Sequence, residues 1–278
     1  PVVMSPIDRI TLFCFGASYA VALALELIQL LWPRGVQRLL AALFAGAGLL
    51  AHTLFLAVQR PPLRDPYGSL LLLAWILAVF YLYGSVHHRR LAWGVFVLPV
   101  LLGVIILAAL SGRPVDRVSE PGKLSSLDIE AFWQILHITF FILAAVGVCV
   151  AFVASVMYLI QARRLREKVL PGQGLRLLNL ERLEEMNRRA ITWAFPLLTA
   201  GLLIGMVQMW YGGGGLTEWT DTRILTTLLL WLVFAIVLYL RYGYHLRGRR
   251  VALLTIMAFA LFLLTLVTQH SFTAGGGP

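Results

Sequence analysis

Apolar residues fall along the chain in blocks of about 18–25, the length that carries an α-helix across a bilayer. Eight such blocks are predicted as spans, at 10–32, 36–58, 67–85, 91–110, 132–161, 190–211, 224–240 and 251–268. The seventh is the shortest. The fifth is longer than a bilayer needs and is expected to begin as a helix above the membrane, where Ser125 and Asp128 stand at capping-box spacing. No internal repeat is evident, which counts against an inverted-repeat transporter. The pattern predicts an all-α polytopic membrane protein, a single integral-membrane helical domain over residues 1–278.

Composition agrees. Of 278 residues 60% are hydrophobic and 13% charged, against about 45–50% and about 25% in a soluble domain. Soluble-enzyme classes are therefore excluded. The formal charge of +10 would suit a nucleic-acid partner, but the basic residues cluster in alternate loops rather than on one face. Of 23 Lys and Arg, 16 lie in or beside the loops joining spans 1–2, 3–4, 5–6 and 7–8. That bias places those loops in the cytoplasm and both termini outside, in a multi-pass protein of a bacterial cytoplasmic membrane. Cys14 and Cys149 both lie within apolar blocks, and neither CxxC nor CxxCH occurs. A thiol relay and a covalent c-type haem are thus not expected. No cleavable signal sequence is evident, and a start at Pro1 fits a chain with residues ahead of it.

The longest cytoplasmic connection, 162–189, breaks at Pro171-Gly172-Gln173-Gly174 and continues in an amphipathic run from Leu180 to Arg189. Leu180, Leu183 and Met186 mark its apolar edge, and Glu184/Arg188 and Glu185/Arg189 are i,i+4 pairs in the favourable order. A short helix lying on the bilayer surface is expected, with a regulatory docking site as the alternative. Glu26 lies in the inner half of the first span, where it is expected to pair with Arg34 or Arg38 or to act in a site.

The six histidines sort by this topology. His87, His88 and His245 fall in cytoplasmic loops, whereas His52, His137 and His270 stand at the outer ends of three different spans. Outer histidines on separate helices could ligate a b-type haem or a metal such as zinc, or could simply reach the interface. Trp133, Trp210, Tyr211 and Trp219 lie at the same level, as a porphyrin wall or as an ordinary interfacial belt.

From His52 onward the chain resembles the cytochrome c assembly membrane proteins of the CcsA, CcmC and HemX type. The resemblance covers about four-fifths of the chain. It rests on Pro62-Leu63, Gly68-Ser69-Leu70 and Ala74-Trp75, on Phe96-Val97-Leu98-Pro99, and above all on three later segments. These are Leu180 to Leu183 with Asn187 to Ala190, then Phe195 to Thr199 with Gly201, and then Trp231 and Arg241 with Arg247 to Arg250. It implies a tryptophan-rich outer loop, the WWD segment, that presents haem, flanked by two outer histidines that ligate the iron. His137 stands at the first of these and His270, in Gln269-His270-Ser271-Phe272, at the second. Asp221 and Arg223 stand at the family's Asp and Lys. The outer loop 212–223 departs from the pattern, with a glycine run and the single tryptophan Trp219, and Tyr239 stands where synthase members carry an inner histidine. His52 is the counterpart of the other inner histidine.

The expected function is therefore haem handling of the HemX-like branch, with a degenerate WWD segment. Non-covalent haem b is held at the outer face by His137 and His270, with Asp221, Arg223, Trp219 and His52 as further cofactor-binding residues. The partners are haem, apocytochrome c or other membrane subunits, and the bilayer, with no nucleic acid. The chain has no nucleophile for a thioether step, so no enzyme activity of its own is expected. The alternative is a non-catalytic structural or regulatory subunit of a larger membrane complex. The charge asymmetry is tested directly by topology: with Cys14 and Cys149 replaced, Ser119→Cys should react with an impermeant thiol reagent from the outer side. Reaction only from the cytoplasm would overturn the orientation.

Overall fold

The computed structural model describes residues 11–32, 35–63, 66–87, 92–111, 129–168, 177–211, 222–244 and 248–271. Eight α-helices lie among them: α1 (Leu12–Leu31), α2 (Gly35–Gln59), α3 (Pro66–His87), α4 (Gly94–Leu110), α5 (Ile129–Arg166), α6 (Leu180–Tyr211), α7 (Thr222–Tyr242) and α8 (Arg249–Ser271). Seven of them are long and apolar enough to cross a membrane, and α4, at 17 residues, is the shorter apolar helix. The chain is a polytopic helical membrane protein. The cap residues Ser125 and Asp128 and the break at 171–174 lie outside the described residues. At 38 residues, α5 is about 57 Å long, nearly twice a hydrocarbon core of about 30 Å.

The helices form two compact units, residues 1–112 with 160–180, and 113–159 with 181–278. In the first, α1 packs on α2 and α4, and α3 packs on the same two, which closes a ring of four helices. Its interior holds Phe15, Tyr19, Ala41, Ala45, Leu71, Ala74, Tyr81, Leu98 and Leu101, all without solvent exposure or nearly so. Between α2 and α3 the Trp75 indole donates to the Thr53 hydroxyl at 2.9 Å. Glu26 is buried and accepts a hydrogen bond from the Tyr81 hydroxyl at 3.0 Å. The Tyr81 phenol is thus its hydrogen-bond partner; of the two arginines the sequence points to, Arg38 is near enough for its charge to act on Glu26, and Arg34 lies outside the described residues.

In the second unit, α6 is the hub. Its Asn187 bonds to α5 and α8, and its Thr199 accepts from the Trp231 indole of α7 at 2.9 Å while Phe195 stacks on the same ring. Phe152 of α5 stacks on Phe259 of α8 with centroids 3.9 Å apart. The run from Leu180 to Arg189 is not a separate surface helix. It is the start of α6, continuous through to Tyr211. The reason is its buried side: Leu183 and Asn187 are enclosed by neighbouring helices, so this edge packs against protein instead of lipid headgroups. Glu185 holds Arg189 as expected, at 2.6 Å, and Arg188 as well at 2.7 Å, because Glu184 turns towards Arg241 instead.

Gly68 shows how closely backbone is packed at the start of α3. A Cβ there would overlap the Pro62 carbonyl oxygen and sit 3.1 Å from that of Pro61. Backbone cannot swing aside as a side chain can. Gly68→Ala should therefore cost about 1–3 kcal/mol, the usual penalty for overpacking, read as a lower Tm of the detergent-solubilised protein. Gly103→Ala, which meets nothing within 4 Å, should leave Tm level or raise it.

Candidate functional site

The histidines expected to carry chemistry fall in both units. His137 lies two turns into α5, and its ring crosses to α6, where Nδ1 is 2.7 Å from the Gly201 carbonyl oxygen. A carbonyl only accepts, so Nδ1–H donates to it, and in the neutral tautomer that fits this bond Nε2 keeps its lone pair. The same carbonyl has a second lone pair, which leaves the helix free to keep its own bond. The ring fits because of Gly205, one turn further along α6. A Cβ there would come within 2.9 Å of His137 Cε1 and 3.2 Å of Nδ1. On its other side the imidazole lies against Phe141, with centroids 6.4 Å apart. The result is a part-buried imidazole whose neutral form has one favoured tautomer, the form in which histidine binds a metal through Nε2.

An imidazole held in this way is the kind of donor that an iron ligand needs. His270 is the penultimate residue of α8; its side chain, that of Arg223 and the whole of 212–221, with Trp219 and Asp221, lie outside the described residues. Among the aromatic residues at this level, Trp133 and Trp210 are exposed. No group of three His, Cys, Asp or Glu side chains gathers as a metal site among the described residues.

His52 is placed differently. It belongs to the first unit, in α2, and is completely buried. Its ring stacks on Phe15 with centroids 4.2 Å apart and planes 3° apart, and it meets the edge of Tyr19. Neither of its ring nitrogens has a hydrogen-bond partner, and neither has the Tyr19 hydroxyl. Leaving such a group unsatisfied costs about 1–3 kcal/mol. His87, by contrast, is accounted for locally, by its Tyr83 carbonyl at 3.1 Å and by stacking on the Tyr83 ring. His88 and His245 lie outside the described residues. Tyr239 is largely exposed on α7 and packs edge-on against Tyr244.

Gly201 and Gly205 are site-shaping residues that histidine-centred reasoning overlooks. Their signal is nevertheless present, since Gly201-Leu202-Leu203-Ile204-Gly205 has the small-xxx-small spacing that lets a neighbouring helix approach.

Comparison with known proteins bears on the same segments. The family model described as "Cytochrome C assembly protein" matches residues 63–273. The chain is 24% identical to the "Cytochrome c biogenesis protein CcsA" of Gloeobacter violaceus, over 93% of this chain and 90% of that one. It is 27% identical to the protein of the same name from Synechococcus sp. (strain JA-3-3Ab), over 89% and 86% of the two chains. Identity to the Chlamydomonas reinhardtii protein is 27%, over 71% of this chain and 55% of the other. No solved structure matches.

The close fit of Gly205 to the His137 ring gives a test that needs no ligand. Gly205→Ala should push the imidazole off the Gly201 carbonyl and raise its modification by diethyl pyrocarbonate several-fold, read by peptide mass spectrometry. A rate unchanged from wild type would show that the ring is not held there.

Proposed function

Because the chain belongs to the cytochrome c assembly protein family, we propose that it handles haem at the outer face of a bacterial cytoplasmic membrane. It is a multi-pass membrane protein of cytochrome c biogenesis. In this reading His137 and His270 are the two axial ligands of one non-covalent haem b, and the haem is held for an apocytochrome c or another membrane subunit. The observation that carries the proposal is the Nδ1–H of His137 donating to the Gly201 carbonyl. That bond fixes the ring, leaves Nε2 as the donor atom and makes it more basic.

Haem supplies an iron that accepts two imidazoles, and everything else falls to the chain. Arg223 is positioned in sequence to pair with a propionate, Trp219 to stack on the macrocycle, and Asp221 or Glu218 to accept from the second histidine. Thiols for a thioether bond must come from the partner, so the chain positions haem and does not itself attach it. We assign the chain to the HemX-like branch on two features of its sequence. The loop 212–223 has one tryptophan, and Tyr239, which stands at the inner histidine of synthase members, is 64% exposed. That same exposure favours a second reading, a non-catalytic structural or regulatory subunit of a larger membrane complex. His52, buried with both nitrogens unpartnered, is assigned to cofactor binding on the route in.

The two readings separate by spectroscopy. Protein purified from haem-replete cells and reduced with dithionite should show a low-spin b-type spectrum. His137→Ala and His270→Ala should each give a five-coordinate or empty site, while His245→Ala should leave the spectrum intact. A wild type without haem, or both alanine variants with an unaltered spectrum, would exclude the bis-histidine site.

A further inference from the structure

At the other end of the second unit, four helices meet around a buried guanidinium. Arg241, near the end of α7, is 6% exposed. Its Nη1 donates to Asn187 Oδ1 at 2.6 Å and its Nη2 to the Glu184 backbone carbonyl at 3.0 Å. Asn187 passes the polarity inward through its amide nitrogen, to the Ala151 carbonyl at 3.1 Å, Ser155 Oγ at 2.8 Å and Thr255 Oγ1 at 3.3 Å. The Ser155 and Thr255 hydroxyls in turn spend their protons on backbone carbonyls of their own helices, at 2.8 and 2.9 Å. The chain of bonds therefore runs one way, from cation to neutral acceptors. The Glu184 carboxylate stands only at 3.9 Å from Nη2, the outer limit of an ion pair, and is part-exposed.

A buried cation needs a close counter-ion, because the desolvation of its charge is expensive. Here it has a distant one. A guanidinium carries five N–H donors in a planar fork shaped for an oxyanion, and the bonds above use two of them. A small pocket opens beside it, with enclosed room for about one water molecule, lined by Ser155, Tyr158, Glu184, Asn187, Arg241 and Gly248 among others. An oxyanion therefore reaches the fork only by taking the place of the Glu184 carboxylate at the pocket's open side, and a macrocycle does not enter. The lysine and arginine bias places this end of the unit on the cytoplasmic side.

We propose that Arg241 and its pocket form an oxyanion-binding subsite in which Glu184 is the resting counter-ion that the ligand displaces. The ligand is a carboxylate or a phosphate. Two sources carry that chemistry on the inner side, a haem propionate and the headgroup of an anionic lipid; the first rests on the haem reading above, the second does not. Asn187, whose two amide N–H are shared among the three acceptors around it, holds the fork in place. Glu184 is a built-in competitor, and this gives the two charged residues opposite signs in the test.

Full-length protein in phosphatidylcholine nanodiscs is titrated with haem and with haem dimethyl ester, whose propionates carry no charge. Parallel samples are exchanged against phosphatidylglycerol, and retained lipid is counted by native mass spectrometry. If propionate is the occupant, wild type should prefer haem over the ester by about tenfold, the worth of one charge-assisted hydrogen bond. Glu184→Gln should widen that gap and Arg241→Gln should close it. If lipid phosphate is the occupant, haem and ester bind alike, and retained phosphatidylglycerol rises in Glu184→Gln and falls in Arg241→Gln. Either pattern supports the subsite. Ligand preference and lipid retention that both ignore the two substitutions overturn it. Should Arg241→Gln fail to fold, Glu184→Gln decides alone: no gain in either arm overturns the proposal. A wild type that takes up no haem removes the bis-histidine reading, and the lipid arm then decides this one.

Discussion

The hydrocarbon core of a bilayer has no water to pair with an N–H or a C=O, and the rest of this architecture follows from that lack. Every spanning segment closes its backbone bonds within its own helix. Polar side chains obey the same rule at one remove. Ser18, Thr53, Thr139, Ser155, Thr199 and Thr255 each return a hydroxyl proton to the carbonyl four residues earlier. Those that also accept a bond, such as Thr53 from Trp75 and Thr199 from Trp231, become the ties between helices. In such a setting a polar group without a partner is conspicuous. His52, with two bare nitrogens against Phe15, is one.

The second requirement is proximity. Lipid is as apolar as leucine, so helices gain little by burying apolar faces and must instead approach closely. Small residues on α6 serve this end. Gly205 admits the His137 ring, and Gly201 offers it a carbonyl. The packing device and the chemical device are thus the same stretch of helix, and a substitution that spoils one spoils the other.

Along α6 the two polar centres are well apart. Asn187 and Gly201 are fourteen residues distant in one helix, about 21 Å of rise, most of the thickness of a hydrocarbon core. One centre presents an imidazole and the other a buried guanidinium. A single continuous helix joins them, which is why the fusion of the amphipathic run with the sixth span matters beyond its effect on the fold. It puts the Glu184–Arg241 end and the His137 end on one helix, with Pro196 between them.

The apolar blocks alone determined the number and rough limits of the helices, because length and hydrophobicity suffice to mark a span. They also placed His52, His137 and His270 at the outer ends of three blocks; the expectation that His137 and His270 are ligands came from the family resemblance. Several residues that carried the family resemblance prove to be partners of one another: Asn187 with Arg241, Thr199 and Phe195 with Trp231. What the chain could not disclose on its own was which faces meet. A helix with lipid on one side and protein on the other is apolar on both, so periodicity does not distinguish them. Only the tertiary structure decided that Glu26 accepts from Tyr81, that Glu184 leaves Arg188 for Arg241, and that the His137 proton sits on Nδ1. Each of these joins residues more than fifty positions apart, and the physical reason is the same throughout: a polar group inside the bundle takes the partner that packing brings within reach.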